Sequence, residues 1–274
     1  MDVDPVFAIP VAGIFGALLG SFLNVCVYRL PRNESIVHPR SRCPSCGAPV
    51  EWYDNIPVVS WLVLRGRCRH CSAPISVQYP LVEAAVAAIW AVAVGRLGVT
   101  APAASAAILL TLLLGILLTD AQQYIIPDEM SLGGLGAGLA LAFVTPIGIV
   151  RALIGAAAGF ALLWTVKAAG DLALQRGWIG GQEVQATLGA AEPVSAMGGG
   201  DLKMLAMIGA FLGWQGALAS AFLGALLATI AFVPFLVRGK KPLVPFGIFL
   251  ALGAATWLIA GGRLVRWYGA FVGV

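Results

Sequence analysis

Four cysteines stand in two matched pairs, Cys43-Pro-Ser-Cys46 and Cys68-Arg-His-Cys71, with 21 residues between the pairs. Each pair can place two thiolates on one tight turn, and two such turns make a tetrahedral four-sulfur zinc site. Four thiolates leave no open position for water, so a zinc held here is structural. Gly47 follows one knuckle and Gly66 precedes the other, where the backbone must turn closely around sulfur. The competing reading is two disulfides, which requires an oxidising compartment. His70, between two ligands, reads as a solvated knuckle residue. Cys26, in an apolar run, reads as a small buried side chain.

Two aspartates carry the second kind of chemistry. Asp120 follows the apolar run 109–118 and Thr119, and Asp201 follows Gly198-Gly199-Gly200 and precedes Leu202-Lys203. Charges at the edge of a membrane core are functional candidates by default. Two carboxylates facing each other in a partly dry site share a proton and titrate as a pair. The ionised member can activate water while the protonated member hydrogen-bonds a scissile carbonyl. The three glycines let the backbone come close to a substrate strand. The plainer alternative for Asp201 is a helix N-cap. Asp128 follows Pro127 and also reads as a cap, with a catalytic role left open. Glu83 reads either as an interface or substrate contact or as a buried hydrogen-bonding group. Asn24 is expected to make an interhelical hydrogen bond.

The elements that must position these groups are membrane helices. The chain has 274 residues, of which 59% are hydrophobic and only 11% charged, with net charge +4. Mean hydropathy is +0.90. Long continuous apolar runs exclude disorder, a coiled coil, collagen and an ordinary water-soluble enzyme. We expect an all-α polytopic membrane protein of about eight transmembrane helices, with a small four-cysteine zinc-binding domain inserted after the first. Residues 1–28 hold the first helix, 29–78 the cysteine domain and 79–274 the remaining bundle, with a loop over 170–200. The spans fall near residues 6–27, 80–94, 102–118, 131–150, 152–169, 217–236 and 243–260. The short run 202–212, before a Gly-Trp-Gln-Gly turn, is the eighth. The acidic start 1–10 is unlike a cleavable signal, so the first run reads as a retained anchor.

With the N-terminus outside, 13 of the 17 Lys and Arg fall in inside segments and 4 outside. That bias puts the cysteine domain and both aspartates at the cytosolic face. The basic residues thus serve topology, and nucleic-acid binding gains nothing from them. Gly16-x-x-x-Gly20 and Gly134-x-x-x-Gly138 read as close helix packing.

These segments together resemble the bacterial prepilin peptidases of type IV pilus and type II secretion systems. The resemblance rests on Gly20-Ser-Phe-Leu-Asn-Val25 with Tyr28-Arg-Leu-Pro31, and on the cysteine pairs enclosing Asp54-Asn-Ile-Pro57 and Ser60-Trp-Leu62. It continues through Tyr79-Pro-Leu-Val-Glu83, Asp120, Ile126-Pro-Asp128, Gly198-Gly-Gly-Asp201-Leu-Lys203 and Gly209-Ala-Phe-Leu-Gly-Trp214. It implies an inner-membrane enzyme that cleaves the basic leader of prepilins after Gly and then methylates the new N-terminus with S-adenosylmethionine. It assigns catalysis to Asp120 and Asp201 within the loop Gly198, Gly200 and Lys203, and zinc to Cys43, Cys46, Cys68 and Cys71. Asp128 and Glu83 are candidates for accessory or substrate contacts, Glu83 facing leader charge. Gly66 is the candidate for the methyl donor. The expected partners are prepilins and pseudopilins with an apolar helix, and the lipid bilayer. The stretch 170–194, with Gln175, Trp178, Gln182 and Gln185, is longer than the family pattern and reads as a lid, a partner contact or a disordered insertion.

Three alternatives stay open. One is an intramembrane Gly-x-Gly-Asp protease without methyl transfer. Another is a transporter using both aspartates as proton or ion ligands. The last is a non-catalytic assembly scaffold.

Overall fold

A computed structural model describes residues 4–178, 195–238 and 244–272. It is all-helical and divides into two compact units, residues 1–127 and 128–274. Among the described residues there is no strand, only two isolated bridges in the cysteine domain.

In the first unit, α1 (Pro5–Arg29) starts where the Asp4 side chain accepts the Val6 N–H at 2.9 Å, and Pro5 adds a preset φ. α2 (Val59–Val63) is a short helix in the cysteine domain. α3 (Gln78–Leu97) stops at Gly98, at φ 69°. α4 (Ala101–Gln123) is capped by Thr100, whose side chain accepts from Ala103, and ends at left-handed Tyr124. α1 and α3 pack closely because glycines face the partner backbone. A Cβ at Gly16 would lie 2.7 Å from the Val86 carbonyl oxygen, and one at Gly20 would lie 2.7 Å from the Glu83 Cα. The Gly-x-x-x-Gly reading holds there. Asn24 makes the expected interhelical bond, donating from Nδ2 to the Tyr79 carbonyl at 3.1 Å.

In the second unit, α5 (Asp128–Leu141), α6 (Ile149–Gln175), α7 (Gly199–Val237) and α8 (Phe246–Val272) pack together. Here the boundaries differ from expectation. The single span over 131–150 is instead the 14-residue α5, then a turn, then the start of α6. Pro146 and Gly148, the latter at φ 70°, break the run despite its apolar character. Residues 170–175, expected in the loop, instead belong to α6, which runs on to Gln175. The Gly-Trp-Gln-Gly turn shrinks to Gly213 alone, at φ 72°, and helix continues on both sides. Among the described residues, six helices are long and apolar enough to cross a membrane. The longest is two helices joined at Gly213, and α5 is a further helix of about 21 Å. Among the described residues, six helices are therefore of crossing length where about eight spans were expected, and the kink at Gly213 and the short α5 account for the other two segments.

α6 and α7 touch backbone to backbone where Gly155 meets Gly209, and Gly159 faces the Leu205 carbonyl. Val6, Phe7, Ile14, Leu153 and Phe222 point outward from apolar helices, as lipid-facing positions do in a multi-pass membrane protein.

Candidate functional site

The cysteine cluster is built from one structural unit used twice. Arg42-Cys43-x-x-Cys46-x-Ala48-Pro49 repeats as Arg67-Cys68-x-x-Cys71-x-Ala73-Pro74, and a bridge joins first to last residue in each. In the first, the Cys43 N–H donates to the Ala48 carbonyl and the Gly47 N–H to the Cys43 carbonyl, both at 2.9 Å. In the second, Cys68 donates to Ala73 and Ser72 to Cys68, again at 2.9 Å. Gly47 has φ 72° and Ser72 φ 57°, so Ser72 fills a position suited to glycine.

The four sulfurs lie within 4.8 Å of one another, and Cys43 Sγ is 3.8 Å from Cys71 Sγ. Sulfurs around a tetrahedral zinc stand roughly 3.8 Å apart, given bonds of about 2.3 Å. The donor set and spacing fit, so these four cysteines could hold a zinc ion. The thiols differ in acidity. Backbone N–H groups of Cys46 and Ser45 lower Cys43 to about 6. Cys71 accepts from the Ala73 backbone, which lowers it, but desolvation and the neighbouring sulfurs outweigh this and push it up to about 12. A dication is what lets all four become thiolates together.

The second knuckle is fixed from outside. Arg69 Nε donates to Asp54 Oδ2 at 2.8 Å, and its Nη2 to Oδ1 at 2.5 Å. That guanidinium holds Asp54 below the usual carboxylate range. Trp61 Nε1 donates to the Ile75 carbonyl at 3.1 Å. Gly66, expected at the methyl donor, is buried against Trp61. A Cβ there would lie 2.8 Å from the indole.

Glu83 is buried in α3 and its Oε2 accepts the Val58 N–H at 2.7 Å. Of the two readings offered for it, this geometry supplies the buried hydrogen bond. Val58 sits at φ 62°, strained for a β-branched residue at the start of α2.

Asp120 lies in the last turn of α4, 5% exposed, beside fully buried Thr119. Asp201 lies in the first turn of α7 and is half-buried. Each belongs to a different unit. Within the second unit, Lys203 Nζ donates to both oxygens of Asp128 at 2.7 Å, tying the start of α5 to the turn that carries Asp201. Asp128 therefore opens its helix as an ion-pair partner.

The glycine loop is held at its other end by a clamp that motif reading missed. Asp171 Oδ1 accepts the Ala196 N–H at 2.7 Å and the Ser195 hydroxyl at 3.0 Å. Its Oδ2 pairs with Lys167 at 2.8 Å, and Lys167 also reaches Ser195. The available signal was Lys167-x-x-x-Asp171 on one helix face. Gln182 and Gln185, expected on the long loop, lie outside the described residues.

Comparison with known proteins points to one family. Residues 14–97 match the model of the bacterial peptidase A24 N-terminal domain, and residues 107–233 that of the type IV leader peptidase family. A prepilin leader peptidase/N-methyltransferase of Myxococcus xanthus is 41% identical over 81% of this chain, which spans 60% of that relative's length. Proteins of the same name from Burkholderia pseudomallei and Aeromonas hydrophila are each 35% identical. They cover 90% and 93% of this chain, and 84% and 91% of themselves. No solved structure matches the chain significantly. The chain belongs to the type IV leader peptidase family.

Proposed function

We propose that this chain cleaves the leader of type IV prepilins and prepilin-like secretion proteins after Gly, then methylates the new N-terminus. The observation that carries the reading is agreement along most of the chain with relatives named prepilin leader peptidase/N-methyltransferase. The location we propose is the inner membrane, N-terminus outside, with the cysteine domain and both aspartates at the cytosolic face. The 13-to-4 distribution of Lys and Arg supports that orientation.

In this reading Asp120 and Asp201 form the catalytic pair. One, ionised, takes a proton from the attacking water. The other, protonated, hydrogen-bonds the scissile carbonyl oxygen, and the proton taken from water passes to the leaving amine as the C–N bond breaks. Gly198 and Gly200 let the substrate strand approach, and the Lys203–Asp128 pair holds the turn carrying Asp201. The substrate's apolar helix lies in the bilayer and its basic leader stays in the cytosol. Zinc in the cysteine cluster orders the domain. S-adenosylmethionine supplies the methyl group.

The test is intact mass of a prepilin with a Gly-Phe junction after incubation with the purified protein, with and without S-adenosylmethionine. Leader loss plus one methyl, both absent with Asp120→Ala and Asp201→Ala, is the expected outcome. Cleavage by both variants would remove the aspartate pair from the mechanism.

A further inference from the structure

The cysteine domain carries an apolar surface that its own fold leaves uncovered. Trp52 is 79% exposed, Val59 52%, Leu62 61% and Val63 70%. Three of these belong to α2. The Ser60 hydroxyl accepts the Ile56 N–H and donates to the Tyr53 carbonyl, tying the turn that bears Trp52 to α2.

The depth of α2 follows from Glu83. α3 has 20 residues, about 30 Å of helix, which is the thickness of a bilayer's hydrocarbon core. Its whole length is therefore needed to cross, and Gln78 stands at the boundary. Glu83 is five residues further in, about 8 Å below that boundary. Because Glu83 accepts the Val58 N–H, the start of α2 is held at that depth. Interfacial helices bury their apolar faces about 5–10 Å into the headgroup and acyl boundary. The outward face of α3 beside it is apolar as well, at Leu81.

Charge lies next to this apolar face. Arg65 and Arg67 follow α2 directly, are exposed, and make no ion pair among the described residues. They line a cavity of about 550 Å³ with Leu64, Cys68, Arg69 and Ser72, and of its arginines only Arg69 is paired, to Asp54. Guanidinium forks suit phosphate oxygens.

We propose that residues 52–67 form a wedge in the surface of the bilayer that carries the chain. Trp52, Val59, Leu62 and Val63 insert between lipids, and Arg65 and Arg67 hold the phosphate of an anionic phospholipid. The wedge rests on the membrane helices and on no assumption about leader cleavage.

The test uses the full chain in nanodiscs of phosphatidylcholine, with and without phosphatidylglycerol, with plain or brominated acyl chains. Trp52 emission is isolated by difference from Trp52→Phe. We expect it to be quenched by the brominated lipid. We expect Arg65→Gln with Arg67→Gln to cut phosphatidylglycerol retained in native mass spectra about fivefold or more per arginine, while one zinc per chain is kept. Leu62→Gln, a milder change, should lower the quenching. Trp52 emission indifferent to bromine would overturn the wedge. Phosphatidylglycerol retention unchanged in the double variant would overturn the headgroup site.

Discussion

Lys203 Nζ stands 2.7 Å from both carboxylate oxygens of Asp128, joining the first turns of α5 and α7. The lysine side chain is 35% exposed and the aspartate 56%, so the pair contributes little to global stability, at most about 1 kcal/mol. Its consequence is positional, because Asp201 lies two residues before Lys203 in the same turn. Lys203→Met should lower kcat for leader cleavage by roughly tenfold with KM nearly unchanged. Asp120→Asn or Asp201→Asn should lower it by about 10²–10⁴-fold. Equal losses in all three variants would move Lys203 from positioning to the chemistry itself.

Glu83 offers a second separation of roles. Glu83→Gln keeps a carbonyl acceptor for the Val58 N–H and should leave cleavage and melting close to the parent's. Glu83→Ala strands that N–H and should cost about 1–3 kcal/mol, read as a lower Tm in detergent. If Glu83→Gln slows cleavage of basic leaders yet spares neutral ones, the carboxylate charge meets the leader.

Parts of this were legible in order of residues and parts were not. Gly16 and Gly20 announced the α1–α3 contact because close backbone approach needs residues without side chains. The cysteine pairs announced their cluster because two short turns suffice to make it. The bond from Val58 to Glu83 left no such trace, since it spans 25 positions and depends on a strained φ at a valine. Asp171 reaches Ser195 and Ala196 over 24 and 25 positions, with no motif to join them. The break between α5 and α6 was obscured by hydropathy, which stays high through Phe143 and Val144 although Pro146 and Gly148 end the helix. Asp120 and Asp201 were legible as two helix-end carboxylates, which is where the structure has them.

Chelation should unfold the cysteine domain and leave the membrane helices intact. A polar segment of about 50 residues has too little core to fold unaided, so the metal supplies much of its stability. Elemental analysis should find one zinc per chain, and Cys46→Ser should bind it more weakly. After chelation, protease should cut within residues 30–77 first. An undiminished protease-resistant domain without metal would show that the knuckle hydrogen bonds suffice.

The Asp54–Arg69 bond should show a pH dependence of defined sign. The folded-state acidity of Asp54 is shifted below its ordinary value of 3.8, first by the Arg69 hydrogen bonds and further by its charge. Its contribution to stability is therefore complete above 3.8 and is lost as pH falls through the lower folded value. Asp54→Asn should be less stable than the parent near neutrality, and the two should converge below pH 3.8. Because zinc is lost from both at low pH, the difference between them is the quantity to follow. A gap that widens on acidification would contradict the assignment.

Asp171 supports the most specific expectation about the glycine loop. Its Oδ1 holds both the Ala196 N–H and the Ser195 hydroxyl, five residues before Asp201. Glycines at 198, 199 and 200 add no stiffness of their own, so the loop's position depends on how its start is fixed. Asp171→Ala removes the acceptor and should lower kcat about tenfold while substrate affinity holds, because a displaced Asp201 affects the transition state more than the bound ground state. Asp171→Asn keeps one oxygen for Ala196 and should restore most of the rate. Hydrogen exchange at Ala196 supplies a readout that activity cannot. It should quicken in Asp171→Ala and stay slow in Asp171→Asn, and slow exchange in both would mean that the loop is held elsewhere.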